Sequence, residues 1–171
     1  MNIKPKVIKG SLFFIVTLLL LYFTQVIWVN YCIKKPLMRE LKSVYGVEKV
    51  AIQNNYKLKE PIKINIHFAK VSKFYKTYKE VDEKIINLLG QKPYNISVFD
   101  NRTAELEELY YNIHYYIEKA LIDGDYPMLN EKSSEIAKTI NAETQIFVDG
   151  NYIYIQLSKN DSFLYKLIPR H

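Results

Sequence analysis

The most concentrated group of polar side chains in the sequence is Asp100, Asn101, Arg102 and Thr103, between a short apolar segment and a long helical pattern. Such groups beside free helix N–H groups could receive an anionic ligand, with Arg102 supplying positive charge. The same residue types also cap helices, because their oxygens accept hydrogen bonds from the first N–H groups. The cap is the simpler interpretation, and a ligand-binding cleft near Asp100 and Arg102 is the alternative.

The titratable residues show no spacing typical of a metal site or a catalytic centre. The three histidines, His67, His114 and His171, form no HExxH motif, and the single cysteine, Cys32, has no partner for a disulfide or for zinc. A glycine-rich phosphate loop and a Gly-x-Ser-x-Gly motif are also missing from the sequence. We therefore expect no metal, no cofactor and no enzymatic activity.

Tyrosine is frequent, with 15 in 171 residues, and four tyrosines lie on the predicted long helix. Tyr111 and Tyr115 are four residues apart and fall away from the apolar stripe of that helix, with His114 near them. Tyrosine is enriched at protein interfaces because it buries a large area and keeps a polar tip. We predict an interface at Tyr111, His114 and Tyr115; the alternative is that a neighbouring helix or the sheet covers them.

The net charge is +6, from 24 basic and 18 acidic side chains. Lysines that alternate with aromatic residues after Tyr56 could follow a phosphate backbone. However, arginine is rare and the lysines around residue 76 share a helix with its core aromatics, so we expect no nucleic-acid partner. A basic surface beside anionic lipid is the simpler hypothesis. Its predicted membrane-facing residues are Lys34, Lys35, Lys73 and Lys76.

Residues 10–33 carry no charge and are flanked by lysines. As a helix with about 1.5 Å rise per residue, this segment would cross a hydrocarbon core of roughly 30 Å. It lacks the small residues of a cleavage site, so we predict an uncleaved signal-anchor that follows a short basic tail, residues 1–9. The expected localisation is a bacterial cell membrane, with a single pass, the N-terminus in the cytoplasm and the C-terminal domain outside. Lipidation of Cys32 is left open.

Apolar periodicity assigns the elements that follow. In the segment 61–71, apolar residues at 62, 64, 66 and 68 alternate with the residues between them, which predicts a strand with one buried face. Helical spacing follows, with Ser72 as a candidate N-cap and glycines at 90 and 124 as helix ends. Asp149-Gly150 between alternating segments predicts a hairpin turn.

The resulting order after the anchor is α-β-β-α-β-α-α-β-β-β. It predicts one compact α+β domain over residues 36–171, a mixed or antiparallel sheet with helices packed on one face. Sub-lobes of 36–100 and 101–171 are possible. We interpret the chain as a non-enzymatic protein-interaction or assembly module at the outer face of the membrane, binding a protein partner or itself. The alternative is an extracytoplasmic ligand-binding or sensory domain with its cleft near Asp100 and Arg102.

Overall fold

A computed structural model describes the backbone of residues 5–53 and 60–170, and among the first 32 residues the side chains of 13–24, 27 and 31. Helix α1 spans Pro5–Trp28, a π-helical segment spans Val29–Lys34, and helix α2 spans Lys35–Lys42. The described side chains of α1 are exposed. The side chain of Cys32, the lysines at 57 and 59 and the start of the basic tail lie outside the described residues.

The described part of the chain contains no helix that is long and apolar enough to cross a membrane. The prediction of a transmembrane signal-anchor is therefore wrong for the described residues. The single-pass localisation and its orientation were inferred from that segment, so they are corrected with it.

The first sheet has three strands, β1 at Val47–Gln53, β2 at Ile62–Phe68 and β3 at Tyr94–Phe99. Strand β2 is central, antiparallel to β1 and parallel to β3. Helix α3, Phe74–Leu89, makes the crossover from β2 to β3. Because side chains alternate along a strand, the apolar residues of β2 share one face. They form a core with α2 and α3.

The second sheet follows a pair of helices, α4 at Ala104–Asp123 and α5 at Tyr126–Thr139. Its strands β4, Glu143–Val148, β5, Tyr152–Lys159, and β6, Ser162–Pro169, form an antiparallel meander with β5 in the centre. One face packs against α4 and α5. The other face sends Tyr154, Phe163 and Tyr165 into the core of the first sheet.

The fold is thus a mixed α+β fold with two small sheets, and the predicted arrangement of a single sheet with helices on one face is wrong. The two sheets meet where β3 ends, but no ladder joins them. Instead, the N–H of Tyr165 donates to the side chain of Asp100 at 2.8 Å, and the N–H of Phe163 donates to the carbonyl of Asn101 at 3.0 Å. These two N–H groups of β6 are therefore bound by the connection between β3 and α4 and not by a strand of the first sheet.

Candidate interaction surface

Helix α4 is fixed at both ends by local interactions. Thr103 is its N-cap, with Oγ1 accepting a hydrogen bond from the N–H of Leu106 at 3.4 Å. Glu105 and Glu107 lie in the first turn, where the helix dipole favours negative charge. Gly124 ends the helix in a left-handed conformation, φ 74°. The apolar stripe packs on the second sheet through Leu106, Leu109, Ile113, Ile117 and Ala120, which are buried.

The opposite side of α4 carries three large exposed side chains. Tyr111 is 78% exposed, Tyr115 is 72% exposed and Ile122 is 84% exposed. At about 100° per residue these three positions fall within about 40° of each other around the helix. Sequence periodicity did not single out Ile122, because an isolated apolar residue outside the stripe gives no pattern. We call Tyr111, Tyr115 and Ile122 the α4 tyrosine face.

His114 lies at the border of this face. Its Nε2 is 3.5 Å from Glu118 Oε1, and its ring is tilted against Tyr110, with ring centroids 5.8 Å apart. Nδ1 is buried and has no hydrogen-bond partner among the described residues. The other two tyrosines of the helix, Tyr110 and Tyr116, are partly buried against the second core. The predicted interface is therefore divided, with Tyr111 and Tyr115 outside and His114 turned partly inward.

Acidic side chains border the α4 tyrosine face. Glu108 and Glu118 are both exposed, and the one lysine on this part of the helix, Lys119, forms an ion pair with Asp123. An exposed ion pair neutralises its own charges, so Lys119 does not offset the two glutamates. The surface therefore combines large apolar area with net negative charge.

The side chains and backbone of the polar cluster Asp100–Thr103 make hydrogen bonds within the domain. The carboxylate of Asp100, fully buried, accepts hydrogen bonds from Arg102 Nε at 2.7 Å and Nη2 at 2.9 Å, besides the N–H of Tyr165. This bond to Asp100 raises the pKa of Arg102, and Arg102 also lies 3.7 Å from Glu107. Asn101 binds Phe163 through its backbone, and Thr103 is the cap. These four residues fix the connection between β3 and α4, and Arg102, the positive charge of the cluster, is paired with Asp100 and Glu107.

Two pockets of the described residues lie away from that cluster. One, about 90 Å³, lies between the start of α3 and β4, lined by residues that include Tyr75, Phe147 and Gln156. The other is an open depression of about 430 Å³ beside Tyr45, lined also by Lys73 and Lys76.

The four predicted membrane-facing lysines fall into two pairs, one at the start of α2 and one at the start of α3. Lys34 ends the π-helical segment, and Lys35 follows it with Nζ 3.8 Å from the ring centroid of Tyr31. Lys73 occupies the N-cap position of α3, but its side chain makes no capping hydrogen bond. Lys76 lies in the first turn of α3.

Sequence reasoning missed a polar contact between α3 and the β4–β5 turn. Lys79 Nζ lies 3.0 Å from Asp149 Oδ2, which also accepts a hydrogen bond from the Tyr154 hydroxyl at 2.9 Å. Desolvation tends to raise the pKa of Asp149, but hydrogen bonds from the backbone of Asn151 and Tyr152, and from Lys79 and Tyr154, lower it to about 2. The residues are 70 positions apart along the chain, so no local pattern could have indicated the contact.

The face of the first sheet that points away from α2 and α3 is uncovered among the described residues. We call it the open sheet face. Its aligned positions across β1, β2 and β3 give three rows, Lys49–His67–Phe99, Ala51–Asn65–Ser97 and Gln53–Lys63–Asn95. The rings of His67 and Phe99 stack at 4.8 Å between centroids. The three rows contain two exposed lysines, Lys49 and Lys63, and no acidic residue; Glu48, also exposed, lies at the irregularity of β1 before Lys49.

No group of His, Cys, Asp or Glu side chains among the described residues could hold a metal ion. Comparisons with protein families, with curated proteins and with solved structures give no match to this chain. The function must therefore be argued from the surface itself.

Proposed function

We propose that this α+β domain is a protein-interaction module that binds its partner through the α4 tyrosine face. The observation that carries the proposal is the alignment of Tyr111, Tyr115 and Ile122 on the outer side of a helix whose inner side is fully packed. An aromatic side chain can bury roughly 150–250 Å², so two tyrosines and an isoleucine that are each more than 70% exposed present on the order of 450 Å². That is the size of the largest apolar patches on ordinary monomers, which are often functional.

The face is suited to a protein rather than to a small molecule. It is convex and offers no enclosed volume, whereas small-molecule sites are concave. Tyrosines with few side-chain torsions lose little conformational entropy when they are covered, and they contribute much of the energy at protein interfaces. The bordering glutamates would favour a partner surface that carries basic side chains at its edge.

The test replaces Tyr111 and Tyr115 together by serine and measures capture of crosslinked protein partners by the immobilised full-length chain. We expect partner capture to fall at least about tenfold, since removing two central aromatic contacts costs more than 1 kcal/mol each. The matched control is Tyr45→Ser, because Tyr45 is also highly exposed, 80%, but lies on the loop after α2. Equal capture by the double variant and the control, both folded by circular dichroism, would contradict the proposal.

A further inference from the structure

We propose that the partner of the α4 tyrosine face is the open sheet face of a second copy of this chain, so that copies associate head to tail. This inference rests on the proposed function and names its partner. Its basis is a complementarity of charge, size and composition between two uncovered surfaces of one molecule.

The charges of the two surfaces are opposite. The three rows of the open sheet face contain Lys49 and Lys63 and no acidic residue, and the α4 tyrosine face is bordered by Glu108 and Glu118. If the second copy instead bound through its own α4 tyrosine face, the glutamates bordering the two faces would lie against each other. Like charges opposed across an interface cost free energy, so a symmetric α4–α4 contact is disfavoured.

The spacings of these charges also agree. Glu108 and Glu118 are ten positions apart, which is about 15 Å along a helix. Lys49 pairs with His67, four positions along β2 from Lys63, so the two lysines are separated by about 13 Å along the strands and about 5 Å across them, roughly 14 Å in all. One helix laid along the sheet can therefore bring both glutamates to the two lysines.

The centre of the open sheet face fits a helix that presents aromatic side chains. Its middle row consists of the small or short residues Ala51, Asn65 and Ser97, which leave a shallow surface between the lysines. Phe99, 41% exposed, adds an apolar contact at one end. A helix on one sheet face is the common way in which a sheet is covered within domains, and here a second copy would supply that helix.

The contact is heterologous, because each copy uses a different surface for each neighbour. Such contacts form closed rings or open filaments rather than closed twofold dimers. With about 500 Å² covered on each side, the contact is below the standard size of about 800 Å² per partner, so we expect weak association that grows with protein concentration. Added salt should weaken it, because the charges are exposed.

The test exchanges the charges of each surface in the full-length chain. One variant carries Glu108→Lys with Glu118→Lys, and the other carries Lys49→Glu with Lys63→Glu. By sedimentation velocity we expect each variant alone to raise the dissociation constant of self-association more than about tenfold, because like charges then face each other. We expect an equimolar mixture of the two variants to associate again, since both kinds of contact regain opposite charges.

Cysteine crosslinking separates this contact from any association through the exposed side chains of α1. In a Cys32→Ser background, a copy with Tyr115→Cys is mixed with a copy that carries Ser97→Cys. We expect this mixture to give a crosslinked pair. A mixture of Tyr45→Cys with the same Ser97→Cys copy should give at least about tenfold less crosslinked product, because the surface around Tyr45 lies outside the proposed contact.

The outcomes distinguish this inference from the proposed function. If the Tyr111 and Tyr115 variant loses partner capture but the sheet charges have no effect on association, the α4 face binds another partner and the head-to-tail contact is wrong. Crosslinking of Tyr115→Cys only with itself would indicate a symmetric contact and would also overturn it. If neither surface affects capture or association, both proposals fail.

Discussion

The ring of Tyr165 lies parallel to the ring of Phe74, with centroids 4.2 Å apart and 1° between the planes. This contact joins β6 of the second sheet to the first turn of α3. The hydroxyl of Tyr165 donates to the carbonyl of Ala69 at 3.0 Å and accepts from the N–H of Val71 at 2.9 Å. One side chain of the second sheet thus fixes the loop that connects β2 to α3.

Gln156 of β5 makes the same kind of contact with this loop. Its Nε2 donates to the carbonyl of Val71 at 2.8 Å, and its Oε1 accepts from the N–H of Phe74 at 2.8 Å. Gln156 is buried, so these bonds satisfy polar groups that water cannot reach. The two sheets are therefore coupled through the backbone of one loop as well as through apolar packing.

Replacing Tyr165 by phenylalanine should lower the free energy of unfolding by about 2 kcal/mol, because the buried N–H of Val71 would be left without a partner and the partly buried carbonyl of Ala69 would lose one. The stacked ring would remain, so the loss measures the hydroxyl alone. Urea unfolding followed by circular dichroism gives the value. Tyr45→Phe, at an exposed position, is the control, and a loss equal to that of the control would show that the hydroxyl bonds do not contribute.

Asp149 should make stability depend on pH in the acid range. Its pKa in the folded state is lowered to about 2, so its contribution is present above the unfolded pKa of about 4 and is lost as pH falls through about 2. At pH 7, Asp149→Asn should lower the free energy of unfolding by about 2 kcal/mol, and this difference should vanish between pH 4 and pH 2.

The measurement for Asp149 is urea unfolding of the wild type and the variant at a series of pH values. Asp161→Asn, in the exposed turn between β5 and β6, is the control and should change stability little at any pH. A difference between wild type and Asp149→Asn that stays constant from pH 7 to pH 2 would contradict this assignment.

Gly46 and Gly124 allow steric crowding to be separated from backbone strain. Both have positive φ, 87° and 74°. A Cβ on Gly46 would lie 2.2 Å from Val71 Cγ1, whereas a Cβ on Gly124 would meet nothing within 4 Å. Gly124→Ala should cost about 1 kcal/mol of unfolding free energy from strain alone, and Gly46→Ala should cost at least about 2 kcal/mol more. Equal losses in thermal or urea unfolding would refute the crowding at Gly46.

Ser133 gives a substitution that should increase stability. It is fully buried on α5, and its Oγ has no hydrogen-bond partner among the described residues. Ser133→Ala removes an unpaired polar group and raises helix propensity, so the free energy of unfolding should rise by about 1 kcal/mol. Ser134→Ala is the matched control, because its hydroxyl donates to the carbonyl of Asn130 at 2.8 Å. A loss of stability in Ser133→Ala would reveal a bond that Ser133 makes.

Local patterns were sufficient where a residue's role depends on its close neighbours along the chain. Alternation predicted a strand within 61–71, and the structure has β2 at Ile62–Phe68. Thr103 was among the predicted caps and is the N-cap of α4, while Gly90 and Gly124 follow the ends of α3 and α4 as expected. Periodicity and capping act over a few residues, so the sequence contains them directly.

Ser72 shows where local reasoning stops. It was a candidate N-cap of α3, but the helix begins at Phe74, and the N–H of that residue is bound by Gln156, 82 positions away. Asp100 was predicted as a cap or ligand residue, and its carboxylate is instead bound by Arg102 and by the backbone of Tyr165. In both cases a distant group competes successfully with the local one.

The sequence by itself determined which segments form helices and strands, which residues end them, and which residues of each element share a face. Only the tertiary structure decided that there are two sheets rather than one, that β5 is buried on both sides, and that the α4 tyrosine face and the open sheet face stay uncovered among the described residues. The physical reason is that the periodicity of side chains along a helix or strand determines which residues share a face. The periodicity does not determine which other element, tens of residues away along the chain, will pack on that face.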